Sequence, residues 1–338
     1  MNKILNKIVI VRLGAMGDLI HALPAAAALR RAFPQARIDW IVDERHRELL
    51  DLVPVIDRRI AIDTGSVASM LEAVRELRRS RYDSALDLQG LLKSAVLARL
   101  SGAARVIGFP TPLLRERLAA LFYTETAGVA AEHVIRKNLS LLKALDVDPQ
   151  LAPIEFPLED RRPEIAAAAR QRLGIQPHDR FAIINPGAAW PNKRWPPVYF
   201  AEVAAALKST HGLPSVVLWG PGEERLAQDV VDASHGSAVV SPQTTLADLV
   251  SLTKAAAIMV SGDTGPLHVA GAVGTPLVGI FGPTNPERNG PWDVSDAWQS
   301  RFGSCQCHYQ RQCHAKRWCL LDLPPRNVID LIGQRLHG

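Results

Sequence analysis

"IVIVRLGAMGDLIHALPAAAALRRAFP" occupies Ile8–Pro34 and sets the architecture of the chain. Its first four residues are all β-branched and apolar, which suits a strand buried on both faces of a parallel sheet. A glycine-containing turn follows, then a helical pattern rich in alanine and leucine. Strand, glycine turn and helix is how a phosphate-binding α/β unit begins. Yet the turn reads G-x-x-G-D and not G-x-G-x-x-G. A carboxylate at the mouth of such a turn would repel a phosphate, so Asp18 is expected to be either a helix cap or a catalytic group.

The same alternation continues outward from this stretch. Further strands are expected at Arg37–Val42, Arg58–Ile62, Ser84–Leu88 and Arg105–Gly108, with helices at Leu19–Ala32, Val67–Ser80 and Leu91–Leu100. Asp148–Glu164, "DPQLAPIEFPLEDRRPE", is rich in proline and charge and reads as an interdomain linker. The pattern then restarts. Strands are expected at Phe181–Asn185, Ser215–Trp219, Ala238–Val240, Ile258–Ser261 and Leu277–Phe281. Helices are expected at Pro197–His211, Glu223–Ser234, Leu246–Lys254, Gly265–Val273 and Arg326–Leu336. The expected class is α/β, with two doubly wound domains at 1–160 and 161–322. A C-terminal helical segment, 323–338, would pack back toward the first domain. Ligands would bind in a cleft at the carboxyl ends of the strands.

The 338 residues exceed what one core usually serves. No apolar run approaches the roughly 20 residues of a membrane span, and "IVIV" is too short for a secretory signal. The chain therefore reads as cytoplasmic. Net charge is +5, with 22 basic against 20 acidic residues in 1–160 and 17 against 14 in 161–338. Nucleic-acid binders concentrate such an excess in a stripe. An even, mild excess suits an anionic small substrate or an anionic membrane surface.

The densest chemistry lies in "VSGDTGPLHVAGAVGTPLVGIFGPTNPERNGPW", Val260–Trp292. A strand ends at Ser261 and "GDTG" opens a helix, whose free N–H groups and dipole attract phosphate. Thr264 offers a hydroxyl, Gly265 allows close backbone approach, and His268 lies one turn further on the same face. The plainer reading makes Asp263 an N-cap and His268 a surface histidine. "NPGAAWPNKRWPP", Asn185–Pro197, presents Lys193 and Arg194 after another strand end, where lysine would neutralise a diphosphate. After "LWGPG", Glu223 would accept from ribose hydroxyls, or simply favour a helix start.

These blocks, with "LGAMGDLIHALPA" and "DLQGLLKSA" (Asp87–Ala95), resemble the ADP-heptose:lipopolysaccharide heptosyltransferases, glycosyltransferase family 9, over nearly the whole chain. "AMGDLIHALPA", "IDWIVDE" and "DLQGLLKSA" look most like heptosyltransferase I. The resemblance implies a GT-B fold of two Rossmann-like domains. It also implies inverting transfer of heptose from ADP-L-glycero-D-manno-heptose to the Kdo of Kdo–lipid A. Asp18 falls on the family's proposed base. Lys193 and the Asp263–Thr264–Gly265 motif fall on its donor-diphosphate site, with His268 close by and the Gly187, Ala188 and Ala189 backbone beside them. Heptosyltransferase I relatives place hydroxyl residues where this chain has Ala188 and Ala189, so backbone N–H groups would serve there alone. No DxD-type motif stands in a convincing place, and no metal or other cofactor is expected to be essential.

The acceptor side would include Gly17, Lys93 and the basic, amphipathic stretch "TPLLRERLAALFY" (Thr111–Tyr123), with Arg115 and Arg117 turned to an anionic glycolipid at the inner leaflet. An ordinary packed helix is the competing reading of that stretch. A monomer peripherally associated with the membrane is expected, with no nucleic-acid partner. All four cysteines, Cys305, Cys307, Cys313 and Cys319, fall in a C-x-C-x5-C-x5-C pattern unlike a standard zinc knuckle. A reduced thiol cluster is the first reading, with a structural metal the alternative. Two other functions stay open: a heptosyltransferase II or another family 9 enzyme, and a non-catalytic nucleotide- or glycan-binding protein. A degenerate binder would have lost Asp18.

Overall fold

The computed structural model describes residues 5–129, 131–148 and 153–337. The chain divides into two compact units, Met1–Glu159 and Asp160–Gly338. Part of the linker expected at Asp148–Glu164 lies outside the described residues.

The first unit holds a six-stranded sheet among its described residues. Its strands are β1 (Lys7–Val11), β2 (Arg37–Asp43), β3 (Arg58–Ile62), β4 (Ser84–Asp87), β5 (Arg105–Gly108) and β6 (Glu125–Thr126). The second unit repeats the design with β7 (Ala182–Asn185), β8 (Ser215–Val217), β9 (Ala238–Val240), β10 (Ile258–Gly262), β11 (Leu277–Phe281) and β12 (Ala297–Ser300). The spatial orders are β3-β2-β1-β4-β5-β6 and β12-β11-β10-β7-β8-β9, and neighbouring strands are parallel. Counted within each unit the order is the same: the chain runs outward from its first strand, then returns and continues on the other side. The reversal falls between β1 and β4, and between β7 and β10. At such a switch point the loops leave in opposite directions and open a crevice at the strand ends.

Burial explains why these segments are strands. Ile8 to Val11 are fully buried, as are Ile183, Ile184, Ile258 and Val260. Helices cover both faces of such a sheet, so its strands are continuous in apolar residues and do not alternate. One core gathers Val9, Val11, Ile41, Leu77 and Val106; another gathers Ile184, Trp195, Phe200, Val217 and Val278.

The first helix differs from expectation. The helix expected over Leu19–Ala32 is two helices, Met16–Ile20 and Leu23–Ala32. Pro24 sits in the first turn of the second, where a missing N–H costs nothing; in the interior of one long helix it would remove a backbone bond. The C-terminal helix, Pro325–His337, belongs to the second unit. It buries Val328 and Ile332 in that unit's core, and Arg335 binds Asp296 at 2.7 Å.

Candidate functional site

The second unit's switch point gathers the residues expected to hold the donor. β7 and β10 run in register with Asn185 opposite Ser261. The Asn185 amide Nδ2 donates to Ser261 Oγ at 2.9 Å and to Thr264 Oγ1 at 3.0 Å. This ties together the two loops that leave the crevice. Thr264 precedes the helix Gly265–Ala272, and no side chain caps that helix. Its N-terminal end is thus open to an anion that can accept from the first-turn N–H groups.

Asp263 does not cap the helix. Its carboxylate is buried and fully engaged: Oδ2 accepts from Lys193 Nζ at 2.6 Å and from Thr284 Oγ1 at 2.6 Å, and Oδ1 lies 3.2 Å from His268 Nε2. Burial alone would push this carboxyl up, but the Lys193 ammonium and the His268 ring hold it well below the usual carboxylate range. Lys193 also donates to the Asp263 carbonyl at 3.2 Å and stands 4.7 Å from the Trp190 ring centre. An ammonium has three donors, and Asp263 takes two of them. The cation is therefore fixed in place with one donor left over, beside an uncapped helix. His268 is largely buried and is not the surface histidine of the plainer reading.

The loop before Lys193 is held from behind. Arg194 Nε donates to the Ala188 carbonyl at 2.9 Å, and its Nη2 meets Glu223 Oε1 at 3.1 Å. Glu223 Oε2 accepts from the Gly220 N–H at 3.2 Å. Glu223 lies just before the helix Glu224–Ala233 and folds over Gly187, where a Cβ would collide with its carboxylate. Glu223 thus braces the loop through Arg194. Ala188 is buried and Ala189 is exposed.

The first unit's switch point carries Asp18. It lies in the first turn of Met16–Ile20, but that helix has no side-chain cap either. Asp18 Oδ1 pairs instead with Arg12 Nη2 at 2.8 Å, and its side chain keeps 36% exposure against 8% for Arg12. Arg12 in turn donates from Nη1 to the Leu88 carbonyl at 2.6 Å, and its own carbonyl accepts from Trp40 Nε1 at 3.0 Å. Leu13 N–H donates to Gln89 Oε1 at 2.8 Å. The loops after β1 and β4 are thereby locked to each other around a half-exposed carboxylate. At Gly14 a Cβ would lie 2.6 Å from the His46 ring, so only glycine fits the turn. Gly17 is half-buried within the same short helix.

Asp87, at the end of β4, is buried and accepts from Gln89 N, Gly90 N, Ser94 Oγ and Tyr123 OH. Burial pushes its carboxyl up. Lys93 is exposed and reaches the Thr64 carbonyl at 3.3 Å. Arg115 and Arg117 are exposed, but Thr111–Tyr123 is not one amphipathic helix. It is two 3-10 turns, Thr111–Leu113 and Arg117–Phe122, around an extended Leu114.

Asn185, Ser261, Thr284 and Arg12 do structural work at these points that the sequence did not single out. Each lay inside a quoted motif, but the motif does not report its partner: Ser261 for Asn185, Asp263 for Thr284, and Asp18 and the Leu88 carbonyl for Arg12.

The model of the family described as Glycosyltransferase family 9 (heptosyltransferase) matches residues 70–319. Lipopolysaccharide heptosyltransferase 1 of Pseudomonas aeruginosa is 30% identical over 91% of this chain and 87% of its own. Lipopolysaccharide heptosyltransferase 2 of Salmonella typhimurium is 28% identical over 84% of this chain and 85% of its own. The solved Escherichia coli heptosyltransferase WaaC with ADP superposes with a TM-score of 0.77 at 24% identity, over 97% of this chain and 99% of that one.

Proposed function

The chain belongs to glycosyltransferase family 9, the heptosyltransferases, and on that premise we propose that it moves heptose from ADP-L-glycero-D-manno-heptose to the Kdo of a Kdo–lipid A acceptor, with inversion. The observation that carries the donor half is the clamp on Lys193. A buried Asp263 fixes the ammonium beside an open helix N-terminus, so positive charge is preorganised where a diphosphate leaving group gains negative charge. In the acceptor half, Asp18 has Oδ1 occupied by Arg12 while the side chain remains partly exposed. Asp18 would take the proton from the Kdo hydroxyl as that oxygen bonds to the anomeric carbon. The bond from that carbon to the phosphate oxygen breaks, and ADP departs toward Lys193 and the helix.

The exposed leucines Leu118 and Leu121, flanked by Arg115 and Arg117, suit an anionic glycolipid surface, with the apolar side chains at the headgroup boundary and the guanidiniums on phosphate or carboxylate. Among the described residues no helix is long and apolar enough to cross a membrane. A second reading, transfer to an already heptosylated core, is favoured by the similarity to heptosyltransferase 2. The test is incubation with ADP-heptose and either de-acylated Kdo–lipid A or its heptosylated form, with product mass recorded. A gain of one heptose on the Kdo acceptor is expected. Reaction with the heptosylated acceptor alone establishes the second reading, and reaction with neither overturns both.

A further inference from the structure

The segment 301–324 lies outside the sheet, and Leu320 and Leu323 anchor its C-terminal end in the unit's core. Its regular structure is two short 3-10 turns, Phe302–Ser304 and Cys319–Asp322. Between them run mostly polar and charged residues, "HYQRQCHAKRW" (His308–Trp318), many of them exposed. A lobe of this size and composition buries too little apolar surface to fix its own shape, and small lobes of this kind rely on a covalent or metal staple. Its four cysteines are unbridged. They are nevertheless neighbours. Cys307 Sγ lies 3.4 Å from Cys313 Sγ, and Cys305 and Cys307 are buried. Backbone N–H groups point at the sulfurs: His314 N lies 3.1 Å from Cys307 Sγ, and Cys307 N lies 3.4 Å from Cys305 Sγ.

We propose that Cys305, Cys307, Cys313 and Cys319 bind one divalent cation through four thiolates, and that this cation clamps the lobe against the loops that carry Lys193 and Thr284. Among the described residues no group of three or more His, Cys, Asp or Glu side chains already stands as a finished metal site. Bonds of about 2.3 Å in a tetrahedral site put the sulfurs about 3.8 Å apart, close to the spacing of Cys307 and Cys313. Such a donor set selects zinc or ferrous iron. The interleaved His308 is used otherwise: its ring stacks on Phe302 at 4.1 Å and its Nε2 meets the Phe302 carbonyl at 2.7 Å.

The clamp has defined points of contact. Asn192, buried and next to Lys193, donates from Nδ2 to the Gln310 carbonyl at 2.8 Å, and its own carbonyl accepts from Trp318 Nε1 at 3.1 Å. Tyr309 N donates at 2.9 Å to the carbonyl of Pro283, the residue before Thr284. The lobe therefore grips both loops that hold Asp263 in place, and the cation would act as a structural staple without entering the reaction.

The test is elemental analysis of full-length protein without an affinity tag, from cells supplied with zinc and iron. One zinc or iron per chain is expected, with all four thiols blocked to a thiol reagent until a chelator is added. Cys307→Ser with Cys313→Ser should lose the metal, and His308→Ala should keep it. Chelation of the wild type should also raise hydrogen exchange across 190–194 by about fivefold or more. This readout does not depend on which sugar is transferred. Absence of metal together with no uptake of added zinc overturns the proposal. So does a mass lower by two hydrogens per cysteine pair, which would mean disulfides, or exchange at 190–194 that chelation leaves unchanged.

Discussion

Lys193 and Asp263 stand 70 residues apart in sequence and 2.6 Å apart in space, with little water around them. A buried ion pair is worth little net, but removing one partner strands the other. Lys193→Met should therefore cost about 3–5 kcal/mol in urea unfolding and abolish ADP binding. Adding Asp263→Asn should restore most of the stability, since the stranded charge is gone, while ADP binding stays lost. A double variant as unstable as the single would contradict this account of the pair. Both residues were legible as site candidates, because glycine-flanked polar residues at strand ends mark ligand crevices. Their pairing was not, since no local pattern reports which strands become neighbours. For the same reason a helix cap stayed open as the plainer reading of Asp263: only the partners brought by Lys193, His268 and Thr284 show its carboxylate to be spoken for. Arg12 beside Asp18 was hidden for a different reason: both lie in one strand–turn–helix stretch, but the fold of the turn that brings them together is not written in its residues.

Among the elements, the buried parallel strands were the most legible, because short apolar runs containing valine and isoleucine, set between turn and helix patterns, have few other uses. Arg58–Ile62, Arg105–Gly108, Ala238–Val240 and Leu277–Phe281 form as the pattern indicates. The edge strands Glu125–Thr126 and Ala297–Ser300 were not legible: they are short, only partly buried and mostly polar. Thr111–Tyr123 misled for another reason. Its apolar spacing mimics a helix, yet Pro112 and the extended backbone at Leu114 break it into two turns. Glu116 reaches away from it to accept from Leu92 N at 2.7 Å, which fixes the segment against the helix Leu92–Leu100. Arg115 and Arg117 remain exposed beside Leu118 and Leu121. Arg115→Ala with Arg117→Ala should raise the acceptor KM by about tenfold and leave ADP affinity unchanged. Steady-state kinetics with acceptor varied at saturating donor would show it, and an unmoved acceptor KM would remove these residues from the acceptor surface.

At the scale of the whole molecule, one strand order is used twice, and each use places its candidate site residues at the point where that order reverses. The two crevices differ in charge. The second unit offers a fixed ammonium and an open helix end, and the first a half-exposed carboxylate held by an arginine. This difference answers the difficulty of Asp18. A phosphate loop has no use for a carboxylate, but under the proposed function this turn need not hold phosphate, which falls to the other unit. The most direct measurement is the rate of heptose transfer by Asp18→Asn beside the wild type, with ADP affinity of both measured by calorimetry. If Asp18 is the base, transfer falls by about 100- to 10,000-fold while ADP binds as before. Transfer near the wild-type rate, or loss of ADP binding along with it, would contradict the assignment of proton removal to the first unit and the nucleotide to the second.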